Sequence, residues 1–454
     1  MFLQHTADGR IQFSPQVALQ FRQARDGPRE NRLPTFASVL TIRFHRLEVR
    51  ARSRAGVEYT RKATTWSDLL AMNLIPISTF DDQLPQMQAV LRDLVEIESP
   101  SNDKAALDRM GKKITELLRP LEPFIEIDTQ TSAGDNVVAR WPDRDGQVDG
   151  GFLILCHFDT VHPVGMLTEN PVRVQAGEMY GPGTIDMKAS ITQVLFVLQA
   201  LRTEQNWPQW PLTLLLTSDE EVGSEGSRPL IESLGRTSGL VLCMEPALPD
   251  GALKTARKGV ANFEVVTLGQ AAHSGADHRN GVNAIEEMAQ QVLALQKLTN
   301  YEAGSTVSVG KISGGTRSNV VPDECRLIVD VRVTTQSEAE RMTALIESLQ
   351  PILPGAQVLV TGSLERAPMP RTETIAAAYS RAREIGSMLG ITISEGSTGG
   401  GSDANLVAPF GIPILDGLGP QGNGAHTRNE SLTLASLAPR TALLAGILSE
   451  WPSD

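Results

Sequence analysis

Pro211-Leu-Thr-Leu-Leu-Leu-Thr-Ser-Asp-Glu-Glu-Val-Gly223 carries an apolar, strand-length run straight into the acids Asp219, Glu220 and Glu221. A buried strand that empties into uncompensated carboxylates is costly unless a cation or a proton answers them, and a metal site is the simplest answer. Two other apolar runs end alike. Gly151-Phe-Leu-Ile-Leu-Cys156 leads into His157-Phe-Asp159, and Gly239-Leu-Val-Leu-Cys-Met244 leads into Glu245-Pro. Between them stands the turn Gly181-Pro-Gly-Thr-Ile-Asp186-Met-Lys, and Gly424-Ala-His426-Thr adds a second histidine near the C-terminus. In open α/β sheets the C-terminal strand edge is where loops converge on one crevice. His157, Asp186, Glu221, Glu245 and His426 are ligand types suited to Zn²⁺, Mn²⁺ or Co²⁺. One tetrahedral catalytic zinc cannot use them all, whereas two ions sharing a carboxylate can.

Taken singly, these strings are ordinary. A histidine after a strand is usually structural, Asp-Glu-Glu is usually a solvated loop, and Gly-Pro-Gly is usually a turn. Their joint order, each at a strand end, is what accident does not supply.

From about Asp81 the chain becomes regular. Leu84, Met87, Val90, Leu91, Leu94 and Val95 recur at helical spacing, a second helix covers about 104–118, and another follows Lys188. Strands and helices alternate to about residue 258, which predicts an α/β fold with a mostly parallel sheet flanked by helices. Residues 259–366 read differently. Strand 261–268, helix 282–298 with Ile285, Met288, Val292 and Leu295 on one face, strands 305–312 and 324–333, helix 336–350 and strand 357–361 give the order β-α-β-β-α-β, a ferredoxin-like α+β insertion. The expected metal-binding catalytic domain is therefore split into 72–258 and 367–454.

Net charge is −12, but residues 1–71 hold eleven Arg and one Lys against six acids, so they carry about +6 and the remainder about −18. An acidic body argues against nucleic acid as a partner. The N-terminal stretch lacks a secretory apolar core. It is expected to be a poorly ordered basic extension or an upstream mis-called start. No apolar run approaches the roughly 20 residues of a membrane-spanning helix. Cys156, Cys243 and Cys325 lie in strand-like segments and read as reduced packing residues of a cytoplasmic protein.

The ordered strings His-x-Asp, Gly-Pro-Gly-x-x-Asp-Met-Lys, Asp-Glu-Glu-x-Gly-Ser, Glu-Pro, Gly-Gly-Gly-Ser-Asp-Ala and Gly-Ala-His resemble the co-catalytic zinc amidohydrolases that include glutamate carboxypeptidase, acetylornithine deacetylase and succinyl-diaminopimelate desuccinylase. The resemblance runs from about residue 80 to the end. It is nearest the glutamate carboxypeptidase branch, through Gly314-Gly-Thr-Arg-Ser-Asn319-Val-Val-Pro, Val329-Asp-Val-Arg332 and Thr398-Gly-Gly-Gly-Ser-Asp-Ala. It implies that Asp186 bridges two divalent metals, zinc foremost with cobalt or manganese as alternatives. His157 and Glu245 would complete one site, and Glu221 and His426 the other. Glu220 would be the general base, and Asp159 would fix the tautomer of His157. The insertion would be a lid and dimerisation domain, implying a homodimer. His273 would reach a substrate oxygen, while Arg332, Asn319, Gly400 and Gly401 would hold the substrate carboxylate or carbonyl. Arg332 could equally pair with Asp330 or Asp323, and His273 could merely cap its turn. His162, His278 and Arg366 stay outside this set. The expected reaction is amide hydrolysis that frees an amino acid from an N-acyl amino acid or short peptide. A biosynthetic N-acyl deacylase resembling acetylornithine deacetylase is the alternative, and a non-catalytic peptide-binding protein is a distant third.

Overall fold

A computed structural model of the chain describes residues 4–5, 11–12 and 74–452. Two units separate, Met1–Asn73 and Leu74–Asp454. In the first, Gln4–His5 pairs antiparallel with Ile11–Gln12; the expectation of a basic extension otherwise falls outside the described residues.

The second unit begins with helices α1 (Leu84–Val95) and α2 (Lys104–Leu118), the latter capped by Asp103, whose carboxylate accepts from Ala106 N. Strands β1 (Phe124–Asp128), β2 (Asn136–Trp141) and β3 (Phe152–His157) follow, then α3 (Ala189–Thr203), β4 (Leu212–Thr217), β5 (Leu240–Cys243) and β6 (Leu253–Arg257). Next come β7 (Gly259–Leu268), α4 (Ala284–Gln296), β8 (Thr306–Gly314), β9 (Glu324–Val333), α5 (Gln336–Glu347) and β10 (Gln357–Arg366). The chain closes with α6 (Glu373–Met388), β11 (Glu395–Thr398), β12 (Ile414–Asp416) and α7 (Leu434–Glu450).

Eight strands form one sheet in the order β11-β6-β12-β5-β3-β4-β2-β1. The central pairs β3–β4, β3–β5 and β5–β12 are parallel, as is β6–β11 at one edge, while β1–β2, β2–β4 and β6–β12 are antiparallel. Every residue of β3 and β4 is buried. Their uninterrupted apolar runs follow from being covered on both faces. Phe152, Ile154 and Cys156 point into a core built with α2, α3 and α7, whereas Leu153 and Leu155 point into a second one with Ile231, Leu406 and Val407. Close packing extends to the backbone. A Cβ on Gly151 would lie 1.9 Å from Pro211 O, where β3 and β4 begin side by side. Gly151→Ala is therefore expected to cost about 1–3 kcal/mol of stability, measurable as a lowered denaturant midpoint.

The β7–β10 segment forms its own antiparallel sheet in the order β8-β9-β7-β10, with α4 and α5 on one face, which is the ferredoxin-like arrangement. Two details differ from the sequence reading. Ile285 is 40% exposed, and the buried face of α4 carries Ala284, Glu287, Met288, Gln291 and Leu295. The polar members are there for hydrogen bonding: the Glu287 carboxylate accepts from Ile352 N, Leu353 N and Gln291 Nε2, so it holds the loop before β10. The last strand also does not stop at 361. Gly362 continues it with φ +135, because a side chain there would collide with Asn262 O of β7, 2.2 Å from an ideal Cβ. The continuation carries Arg366 to the edge of the large sheet.

The chain enters and leaves this second sheet through adjacent segments. Arg257 and Met369 exchange two backbone hydrogen bonds (2.9 and 3.0 Å), and the Asn405 amide donates to both Lys258 O (3.1 Å) and Ala367 O (2.7 Å).

Candidate metal centre

The ends of β3, β4 and β5 and two loops converge on one acidic cluster. His157, the last residue of β3, is 2% exposed and is held from both sides. Its Nδ1 faces Asp159, 3.3 Å from the carboxylate and 3.2 Å from the backbone oxygen, and its Nε2 lies 3.1 Å from Asp186 Oδ1 and 3.6 Å from Glu245 Oε1. Asp159 is fully buried and also accepts from Glu220 N, Glu221 N and the Ser101 hydroxyl. One carboxylate thus orients the imidazole and fixes the backbone of the paired glutamates.

Asp186 occupies the middle of the cluster. Its Oδ1 faces His157, while its Oδ2 lies 3.3 Å from His426 Nε2. The same His426 nitrogen is 3.0 Å from Glu221 Oε2. His426 reaches this position with φ +64, from a loop that leaves its side chain 53% exposed. Glu245 follows β5 and is flanked by Arg257 Nη2 (3.4 Å) and Lys254 Nζ (3.8 Å).

Beyond β4, Asp219 accepts from Gly226 N, Ser227 N and the Ser227 hydroxyl, which closes the turn containing the short helix Glu220–Val222. In that turn the two neighbouring glutamates diverge. Glu221 meets His426, whereas Glu220 Oε1 lies 3.0 Å from Arg366 Nη2. Arg366 is itself buried and donates to Asp403 Oδ1 (2.9 Å), the Ser224 hydroxyl (2.8 Å) and Glu220 O (3.1 Å).

Charge in the cluster is unbalanced. Burial drives Glu220 well above the usual carboxylate range despite Arg366, and burial raises Glu221 against the hydrogen bond from His426. Burial alone would raise Asp186 too, but His157 and His426 outweigh it and hold it far below its usual range. Hydrogen bonds to Asp186 and Glu221 push His426 up to about 11. For His157, burial opposes the charged ring, yet Asp159, Asp186 and Glu245 raise it well above its ordinary value. Buried carboxylates in such excess call for cations. Ligand atoms of His157, Asp186 and Glu221 lie within 4.8 Å of one another, as do those of His157, Glu220 and Glu245. The donor set, carboxylate oxygens with two imidazoles and no thiolate, is suited to divalent metal ions.

The other residues singled out in the sequence make their contacts with other partners. Gly400 and Gly401 accept from Arg257 Nη1 through their carbonyls (3.2 and 2.9 Å), and that arginine also grips Asp416. His273 is exposed, and its Nδ1 accepts from Gly275 N and Ala276 N. It stands beside Asn319, whose carbonyl accepts from Ser274 N. Arg332 forks onto Asp330 (2.7–3.0 Å). These hydrogen bonds of His273, Asn319 and Arg332 do not reach the ligand cluster. Arg366 and His162, set aside in the sequence reading, prove central, and Asp403, Arg257, Asp416 and Glu430 enter the picture only in three dimensions. Of these, only Asp403 lies within a quoted string, Gly-Gly-Gly-Ser-Asp-Ala.

Comparison with known proteins agrees with this geometry. Residues 153–450 match the model of Peptidase family M20/M25/M40. Carboxypeptidase G2 of Pseudomonas sp. (strain RS-16) is 30% identical over 376 residues, covering 81% of this chain and 89% of its own length. Succinyl-diaminopimelate desuccinylase of Alkalilimnicola ehrlichii is 27% identical over 359 residues, covering 74% and 92%. Among solved structures, aminopeptidase PepT from Bacillus cereus superposes with a TM-score of 0.66 at 23% identity, over 81% of this chain and 98% of that one.

Proposed function

Because this chain belongs to peptidase family M20/M25/M40 and is a metal-dependent peptidase or amidohydrolase, we propose that it uses two zinc ions to release an amino acid with a free carboxylate from an N-acyl amino acid or short peptide, as a glutamate carboxypeptidase does. One observation carries the reading: Asp186 divides its two oxygens between two imidazoles while Glu220, next to ligand-positioned Glu221, faces an arginine instead. His157, Asp186 and Glu245 would hold one ion, and Asp186, Glu221 and His426 the other. When bound, such ions polarise the amide carbonyl and bring the pKa of water towards neutrality.

The chain's own groups do the proton work. Glu220 accepts a proton from the attacking water and returns it to the departing amine, which is a poor leaving group until protonated. Burial raises its proton affinity, which suits both halves of that task. Arg366 fixes one oxygen of Glu220 and so orients the carboxylate. At His273, two N–H groups donate to Nδ1, so the neutral ring carries its proton on Nε2. That leaves Nε2–H free to donate to the substrate oxygen. None of these contacts of His273 or Asn319 reaches the cluster, and in a homodimer they would act in the partner's centre. Arg332, Gly400 and Gly401 complete the carboxylate grip.

A deacylase for a cationic biosynthetic substrate would favour acids in the pocket, whereas Lys254 and Arg257 stand beside Glu245. A binding protein would be expected to lose a ligand or the base, and all are present. We place the enzyme in the cytoplasm on the strength of its buried free cysteines Cys156, Cys243 and Cys325. Among the described residues no helix is long and apolar enough to cross a membrane. The test is amino-acid release from a panel of N-acyl amino acids and dipeptides. Chelation is expected to abolish release and Zn²⁺ to restore it, with glutamate derivatives the preferred substrates. Release that survives complete removal of metal would rule the mechanism out.

A further inference from the structure

One buried carboxylate outside the ligand set touches more of the ligand scaffold than any role assigned so far explains. Glu430 is 1% exposed and lies four residues beyond His426. Its Oε1 accepts from Ile185 N (2.9 Å) and from the backbone N–H of Asp186 itself (3.1 Å). Its Oε2 accepts from Gly183 N (2.9 Å) and from His162 Nε2 (2.6 Å). The donors come from two separate segments. Residues 183–186 carry the shared aspartate, and His162, 6% exposed, sits on the loop that continues from His157 and Asp159.

The surrounding backbone makes the same connection. Ser431–Thr433 pairs with Glu178–Tyr180 on one side and with Gly422–Asn423 on the other, so the loop bearing His426 is the tip of a hairpin attached to the strand that precedes the Asp186 turn. Within the tip, Thr427 N donates to Gly424 O and Glu430 N to Thr427 O. His426 is the most exposed of the residues assigned as ligands, and residues 423–429 around it are all exposed. A carboxylate has only its two oxygens with which to accept, and here each takes two donors. An amide in the same place would present an NH₂ to two groups that also donate, losing two hydrogen bonds and setting donors against each other.

We infer that Glu430, seated on His162, is a positioning residue that sets the spacing between Asp186 and His426 and thereby the affinity of the ion on the Glu221–His426 side. The inference rests on the two-metal reading above. Removing a residue that orients a metal ligand typically lowers affinity by about 10–100-fold. Glu430→Gln is accordingly expected to weaken one ion by a factor in that range while the other is held nearly as before. His162→Leu is expected to shift affinity the same way by less, and His162→Gln, which can donate to the carboxylate, to recover most of the loss.

The experiment is titration of the full-length apo-protein with Zn²⁺ against a chromophoric chelator, with the visible spectrum of the Co²⁺-substituted protein and the thermal midpoint of the apo-protein recorded in parallel. Two ions in the wild type, one selectively weakened in Glu430→Gln, a changed cobalt spectrum and rescue by His162→Gln over His162→Leu would support the clamp. Unchanged affinities and spectra in all variants, whatever their thermal midpoints, would overturn it and leave the two-metal reading standing. A wild-type chain that binds no ion would overturn both. Should Glu430→Gln fail to fold, the His162 pair decides alone: equal affinities in His162→Leu and His162→Gln count against the clamp.

Discussion

Glu220→Gln is expected to keep both metal ions and lose about 10²–10⁴-fold in kcat, the usual worth of a positioned general base. The amide matches the carboxylate in shape and can still accept from Arg366, which stays paired with Asp403. It cannot take a proton from water at neutral pH. KM should change little, since nothing assigned to substrate binding is altered. The discriminating measurement is metal content beside turnover. Glu220 also lies within ligand distance of His157 and Glu245, so a loss of one ion in this variant would make it a ligand and leave the base unidentified. Near-normal turnover with full metal content would remove it from the chemistry altogether.

Asp186→Ala should have a still larger effect, because both imidazoles face its carboxylate. Metal affinity is expected to fall by more than the roughly 10–100-fold typical of residues that only orient a ligand, and at both positions together. Glu221→Ala, by contrast, should release only the ion on the His426 side. Metal analysis after dialysis at a fixed free Zn²⁺ concentration separates the two patterns. Equal losses in the two variants would contradict a shared aspartate.

The strand ends and the order of the elements were legible because they depend on local chemistry. The all-apolar runs of β3 and β4 announce strands covered on both faces, and the acids after Thr217 announce a polar edge. The ferredoxin-like order was legible for the same reason, through the succession of strand and helix segments over 261–361 and the helical spacing in α4. What escaped was any feature decided by partners distant in sequence. Ile285 has the right spacing for the core, but Glu287 takes the inward position because its carboxylate finds backbone donors in the 352–353 loop. Gly362 looks like a strand terminator until the crowded backbone of β7 is beside it. Arg366 lies 146 residues from Glu220 in sequence, and no local pattern marks it as the arginine at the centre. Arg332 has the conspicuous motif, yet its guanidinium is engaged by Asp330, two residues before it.

The paired segments that join the two sheets have a mechanical consequence. Two strands tied by the Arg257–Met369 hydrogen bonds and cross-linked by Asn405 resist twisting and shear, since either would break several bonds at once. They bend more readily across their flat face. Any bending of the β7–β10 sheet relative to the large one would meet least resistance in that direction, as in a door on a plate hinge. Arg366, the last residue of β10, touches both the carboxylate and the backbone oxygen of Glu220. Such bending would therefore be passed to the aim of Glu220 through a single side chain.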